Sequence, residues 1–253
     1  MDPGSVLFVL VFVCSRAQHI DASSALLYPY GPTTNDQFLP FIDDFIATLH
    51  LTVNIPVFGR VFSTLYINSN GLLQLNYDAS LQKPRDLPLT NGEAFIAPFW
   101  ADMDLFKAGV MYYRQDTNVE LLERATSDIT SYFSNTTFSA QWVLVATWDK
   151  VASYYYDASQ WNTFQVVLTT DGNFTFVLFN YIDINWPQNA TSKEQSALAG
   201  LNSGSSRGFY ELPQSLTSDI LNLPQTSNVN VPGRWAFKVD KLIPEDVSGV
   251  IGR

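Results

Sequence analysis

Two turn signatures constrain what this chain can fold into. Ser69-Asn70-Gly71 separates apolar runs at 61–68 and 72–76, and Thr170-Asp171-Gly172-Asn173 separates runs at 164–169 and 174–180. Asn and Gly tolerate the positive φ that a tight reversal needs, so each signature predicts a β-hairpin. In the second hairpin Phe174, Phe176 and Leu178 point one way, and Val177 and Phe179 the other. A strand that is apolar on both faces belongs in the middle of a sandwich rather than on a solvated sheet. Further strands are predicted at 50–55, 95–102, 110–114, 141–149, 197–202 and 234–239, with Pro56 and Gly59 breaking the first.

One segment departs from this pattern. Thr117-x-x-Glu120 matches a capping box, and Leu122, Ala125, Ile129 and Phe133 then recur at three- and four-residue spacing. That periodicity predicts an amphipathic helix over 119–133, packed on the sandwich. The fold class is therefore all-β: an antiparallel β-sandwich with one peripheral helix. At 46% hydrophobic and 14% aromatic residues, the chain has the composition of a folded core rather than of a disordered segment.

The N-terminus reads as a secretory signal. Residues 6–13 form an unbroken apolar run, and small residues follow at Ser15 and Ala17, which places cleavage after Ala17. Asp2, not a basic residue, precedes the run, and the other reading of these residues is a buried first strand. The organisation that follows is a signal peptide at 1–17, a loose segment at 18–26, one domain at 27–240 and a tail at 241–253. The run is too short to span a bilayer, and no later stretch has the eighteen or so consecutive apolar residues of a transmembrane segment. Cys14 is the only cysteine, so the mature domain is expected to lack disulfides, thiol nucleophiles and cysteine metal sites. A domain of this size can bury enough surface to fold without disulfides.

Charge excludes some partners. The net charge is −10 and there is no Lys/Arg cluster, so nothing is available to neutralise phosphates. Nucleic acid and anionic membrane are therefore poor partners, and no nucleic acid is expected. The acidity serves solubility, and it would also attract cations or basic proteins.

Candidate chemistry is sparse. Asp102 and Asp104 stand two apart, which on a strand puts both carboxylates on one face. They fit a structural turn with an ion pair to Lys107 or Arg114, a Ca²⁺ site, or an acid/base pair. The structural role is the expectation, with no cofactor, and Ca²⁺ is the alternative. His19 lies in the loose start, a poor place for a catalytic residue, and His50 begins a strand, where it reads as an edge residue rather than a base. No nucleophile elbow and no phosphate-binding loop occur. Tyr154-Tyr155-Tyr156 and Trp161 fall in a predicted loop, where aromatic side chains either fold down onto the sandwich edge or remain exposed to bind a partner or a sugar. Asn135, Asn173 and Asn189 are N-glycosylation sequons in predicted loops or turns.

Taken in order, several segments spell a known pattern. Leu27-Tyr28-Pro29-Tyr30-Gly31, Tyr66-Ile67-Asn68-Ser69-Asn70-Gly71 and Ala97-Pro98-Phe99-Trp100-Ala101-Asp102-Met103-Asp104 are followed by Tyr112-Tyr113-Arg114 and Val145-Ala146-Thr147-Trp148. Then come Asn162-Thr163-Phe164-Gln165, Thr170-Asp171-Gly172, Phe179-Asn180-Tyr181 and Val231-Pro232-Gly233-Arg234-Trp235-Ala236-Phe237. Over 27–240 this order and spacing resemble the NIDO domain of extracellular matrix adhesion proteins. The resemblance implies a secreted, non-catalytic module in cell–matrix adhesion or matrix assembly. Its implied partners are extracellular matrix or cell-surface proteins. It brings no catalytic residues and no ligand site. A lectin-like carbohydrate-binding domain, assisted by Ca²⁺, is the alternative reading.

Overall fold

A computed structural model of the chain describes residues 25–76, 81–187 and 196–242. Twelve strands form two antiparallel six-stranded sheets. The first sheet runs in the order β1 (Gln37–Phe38), β6 (Val110–Asp116), β7 (Trp142–Val151), β8 (Asn162–Thr170), β9 (Thr175–Ile184) and β12 (Arg234–Lys238). The second runs β11 (Phe209–Glu211), β10 (Leu198–Ser203), β5 (Ala94–Trp100), β4 (Leu72–Gln74), β3 (Arg60–Asn68) and β2 (Ile46–Val57). Helix α1 spans Val119–Tyr132. Among the described residues no helix is long and apolar enough to cross a membrane.

Both predicted hairpins form. Asn68 pairs with Leu72 across the first, and Thr170 with Thr175 across the second. The two-faced apolar pattern has a layered cause. Val177 and Phe179 point into the sandwich, where they join Trp148, Phe164, Ile67 and Phe99. Phe176 and Leu178 point outward and are covered by α1 through Leu121, Ala125 and Ile129. The second sheet is covered in the same way, with Phe95, Ala97 and Trp100 lying under Leu81 and Leu89.

Several predicted boundaries shift, three of them with a clear physical cause. Strand β2 continues through Pro56, because β2 is an edge strand and proline's missing N–H costs no ladder bond there. Its reversal uses Phe58 (φ 50°) and Gly59 (φ 74°), the two left-handed residues of a primed turn. The helix cap is Asn118, not Thr117. The Asn118 Oδ1 accepts from the N–H groups of Glu120 (3.0 Å) and Leu121 (3.4 Å). Strand β5 ends at Trp100, so Asp102 and Asp104 lie beyond it. A register shift opposite Leu198 and Gly200 leaves Pro98 at an irregularity within β5.

Side-chain amides close two sheet edges. Gln115 Oε1 accepts from Thr52 N–H (2.8 Å), and its Nε2 donates to the His50 carbonyl (2.9 Å). Asn228 does the same for β12, accepting from Ala236 N–H (2.8 Å) and donating to Ala236 C=O (2.8 Å). Each carboxamide stands in for a neighbouring strand, which removes an open edge from other chains.

A buried polar row fastens the N-terminal segment. Thr147, Gln165, Asn180 and Arg234 pair in sequence across β7, β8, β9 and β12 on the outer face of the first sheet. Gln165 accepts from Tyr28 N–H (2.8 Å) and Asn180 Nδ2 (3.1 Å), and donates to Tyr28 C=O (3.0 Å) and Thr147 Oγ1 (2.9 Å). Arg234 donates to Asn180 Oδ1 (2.8 Å), to Asp128 of α1 (3.0 Å) and to the Leu26 carbonyl. The Tyr28 hydroxyl donates to the same Asp128 carboxylate at 2.8 Å.

The hairpin turns yield a graded prediction. At Gly71 (φ 83°) an added Cβ would sit 1.8 Å from the Phe99 carbonyl oxygen, whereas at Gly172 (φ 91°) it would meet nothing within 4 Å. Gly172→Ala is expected to cost about 1 kcal/mol, the left-handed penalty alone. Gly71→Ala is expected to cost about 4 kcal/mol or more, because backbone must move as well. Urea unfolding of the two variants measures the difference, and equal midpoints would contradict it.

Candidate functional site

The connection between β7 and β8 carries the predicted aromatic loop at one end of the sandwich. Backbone bonds hold it against the segment after β5: Tyr154 N–H donates to Asp102 C=O (3.0 Å), and Asp104 N–H to Ala152 C=O (3.1 Å). Tyr154 remains 49% exposed, and Tyr155 and Trp161 each 38%. Tyr156 is half-buried and packs against the sandwich core, so it anchors the loop instead of presenting a ring. Tyr154 and Tyr155 meet edge to face at 5.4 Å.

Three further apolar side chains are exposed here, none of them anticipated from sequence. Phe106 is 79% exposed, in the turn that follows Asp104. Phe41 (53%) and Ile42 (52%) directly precede Asp43. The signal for Phe106 was its place in Asp-Leu-Phe-Lys-Ala-Gly, a turn sequence in which a core phenylalanine has no strand or helix to belong to.

The two carboxylates singled out from sequence part company. Asp104 Oδ1 accepts from Phe106 N–H (2.9 Å), and its other oxygen lies 3.9 Å from Lys107 Nζ. This is a turn cap with an ion pair. Arg114 is engaged elsewhere, with Asp36 (2.7 Å) and Asp116 (3.2 Å). Asp102, only 6% exposed, instead meets Asp43 and Asp44, with one oxygen of each carboxylate within 4.8 Å of the others. Among the described residues these three carboxylates lie close enough together that they could hold a cation. Asp44 also accepts from Asn70 Nδ2 (2.7 Å) and from Gln82. Burial pushes the Asp102 carboxyl above its ordinary range, opposed by a hydrogen bond from Tyr155. Asp43 is pushed up to about 6 by burial and then by the charges of Asp44, Asp104 and Asp102.

The other sequence candidates resolve simply. His50 lies exposed on edge strand β2 with its ring nitrogen 3.4 Å from Thr64 Oγ1. Asn135 is exposed just beyond α1, and Asn173 is exposed in the β8–β9 turn. Asn173 sits at the opposite end of β8 from the Tyr154 loop, and Phe133, near Asn135, contacts Phe176 at that same end. Cys14, His19, Asn189, the proposed signal and most of the tail lie outside the described residues.

Asp43 yields a pH prediction. Its carboxyl holds a proton more tightly in the folded chain than at its ordinary value of 3.8. Between roughly pH 4 and 6 the folded state therefore binds more protons than the unfolded one, and stability falls as pH rises through that window. Asp43→Asn removes the penalty. Allowing for solvent screening, the gain at pH 7.5 is about 1 kcal/mol, or about 2–4 °C in melting temperature. Calorimetry should find that gain at pH 7.5 and none at pH 3.5.

The motifs themselves map onto scaffold. Tyr28, Thr147, Gln165, Asn180 and Arg234, one from each of five motifs, form the buried row described above. Asn70 of the hairpin motif binds Met103 N–H (2.7 Å), and Trp148 Nε1 donates to the Ser69 carbonyl (2.9 Å). The nidogen-like domain profile matches residues 63–241. Mouse alpha-tectorin is 40% identical over 100% of this chain and 12% of its own length. Dendrite extension defective protein 1 of Caenorhabditis elegans is 34% identical over 87% of this chain and 19% of its own. Mouse nidogen-2 is 30% identical over 96% of this chain and 19% of its own. The chain thus spans between an eighth and a fifth of these relatives, and no solved structure matches it. The β-sandwich, the motif row and these relatives together identify the chain as a member of the nidogen-like domain family, an extracellular matrix module.

Proposed function

We propose that this chain is a non-catalytic binding unit for cell–matrix adhesion or matrix assembly, which contacts a matrix or cell-surface protein through the Tyr154–Trp161 end of the sandwich. The observation that carries this reading is the gathering of exposed aromatic side chains on that end. Tyr154, Tyr155, Trp161 and Phe106 stand out from loops fixed by backbone hydrogen bonds. Large exposed apolar groups held on a rigid frame are what interface anchors look like. Its relatives' much greater length suits a module that gains strength by linkage, since a second tethered site acts at high effective concentration.

The test compares the monomeric and multimerised domain on cells and on extracted matrix. The monomer is expected to bind at micromolar strength or weaker, and the multimer about a hundredfold better. Tyr154→Ser with Tyr155→Ser is expected to lower multimer binding about tenfold while the domain stays folded, as its circular dichroism reads. Full binding by that variant removes the loop from the site, and turnover of a glycan or peptide substrate removes the non-catalytic reading.

A calcium-assisted lectin is the second reading, favoured by the corner of Asp43, Asp44 and Asp102 beside Tyr155. It requires calcium to stabilise the fold, by about 2.7 kcal/mol at a hundredfold excess over its dissociation constant. It also requires glycan binding that a chelator abolishes. Secretion belongs to the main reading, with cleavage after Ala17 and glycans on Asn135, Asn173 and Asn189. An intact mass beginning at Gln18, lowered by glycosidase and unaltered by reductant, is the expected result.

A further inference from the structure

We infer that the exposed end of the sandwich docks a cationic segment of a partner protein, with a Lys or Arg head against Asp43, Asp44 and Asp102 and its apolar neighbours against Phe41, Ile42, Phe106 and Tyr154. This rests on the reading that the module works by binding, and it names the chemistry of what is bound.

Three observations favour a basic peptide surface. First, the apolar groups adjoin the carboxylates. Phe41 and Ile42 lead directly into Asp43, Tyr155 hydrogen-bonds Asp102, and Phe106 rises from the turn that Asp104 caps. Phe38, 57% exposed on β1, extends this group through Phe41, whose ring centre lies 6.2 Å from its own. Second, the charge is one-sided: Asp43, Asp44, Asp102 and Asp104 outnumber Lys83 and Lys107. An incoming ammonium or guanidinium would meet the part-buried Asp43 and Asp44 carboxylates from solvent and offset the repulsion among the acidic groups.

Third, the site already displays this chemistry within the chain. Lys107 Nζ lies 4.9 Å from the Tyr154 ring centre, donates to the Tyr154 carbonyl and sits 3.9 Å from Asp104. A sugar fits less well. Tyr154 and Tyr155 meet at 79° and form no common platform, and Lys107 already occupies a face of Tyr154. Aliphatic and cationic groups need no such platform, because cation–π and apolar contacts accept separate rings.

The experiment uses fluorescent octapeptides of alternating Lys and Leu, Ser and Leu, or Glu and Leu, titrated with the full domain by anisotropy. The Lys peptide is expected to bind at least about tenfold tighter than the Ser peptide, and the Glu peptide not to bind. Raised salt should weaken the Lys complex. Asp43→Asn and, separately, Phe106→Ser should each weaken it about fivefold to tenfold. Glu120→Gln with Glu123→Gln on α1, which removes more charge than Asp43→Asn, should leave it unchanged. Equal weakening by the helix variant would mean diffuse attraction and would overturn the proposal. So would calcium that raises the melting temperature and displaces the Lys peptide, since the corner would then belong to an ion. If the Lys peptide fails to bind while the multimer still adheres to matrix, this inference falls and the binding function stands. If both fail, the binding function falls with it.

Discussion

Thr147, Gln165, Asn180 and Arg234 stand side by side on four neighbouring strands, and Gln165 at the centre of that row fills both its donor and its acceptor roles. All four are essentially excluded from water. A carboxamide in that position would be costly if any partner were missing, because each buried unpaired group costs about 1–3 kcal/mol. Tyr28 supplies the missing partners through its own backbone N–H and C=O. The N-terminal segment is thus held as if it were a further strand lying across the sheet, and α1 is held with it through Asp128. Arg124 stacks on Tyr28 at 4.1 Å and closes the assembly. The helix, the first residues of the domain and the last strand depend on the same few hydrogen bonds.

The rest of the architecture follows from covering both faces of both sheets. Strands such as β5 and β9 are apolar on each side because one side meets the opposing sheet while the other meets a helix or a loop. Burying so much apolar area stabilises the fold without disulfides among the described residues. Gln115 and Asn228 occupy backbone groups on the edge strands β2 and β12, where unpaired groups invite strand pairing between copies.

Scaffold and surface are separated in this molecule. The residues that mark the family are consumed in the buried row and around the Asn70 turn, where they satisfy one another. The exposed end that the binding proposal uses is made of side chains outside those motifs, such as Phe41, Ile42, Phe106 and Tyr154. Asp102 and Asp104 belong to both, lying at the end of one motif and also among the carboxylates of that exposed end. Family membership therefore carries the fold with it, while the partner is left to the loops.

By itself the sequence determined the hairpins, the helix and the sandwich, because these depend on local φ preferences and on the two periodicities of apolar residues. It also located the aromatic loop, since three tyrosines beside an Asp and a Ser have no regular element to join. Tertiary structure alone decided three things. It chose Asn118 over Thr117 as the cap, which depends on where β6 releases the chain. It turned Tyr156 inward while leaving Tyr154 and Tyr155 out. And it replaced the pair Asp102 and Asp104 with the trio Asp43, Asp44 and Asp102. Spacing along a strand says which side chains share a face, but β5 ends before Asp102, so the two-residue rule no longer applies there. What brings Asp43 and Asp44 to Asp102, nearly sixty residues away, is the Asn70 turn that binds Asp44 on one side and Met103 on the other. No local pattern encodes a meeting of that kind, because its energy comes from contacts that exist only after β2, β3, β4 and β5 have assembled into one sheet.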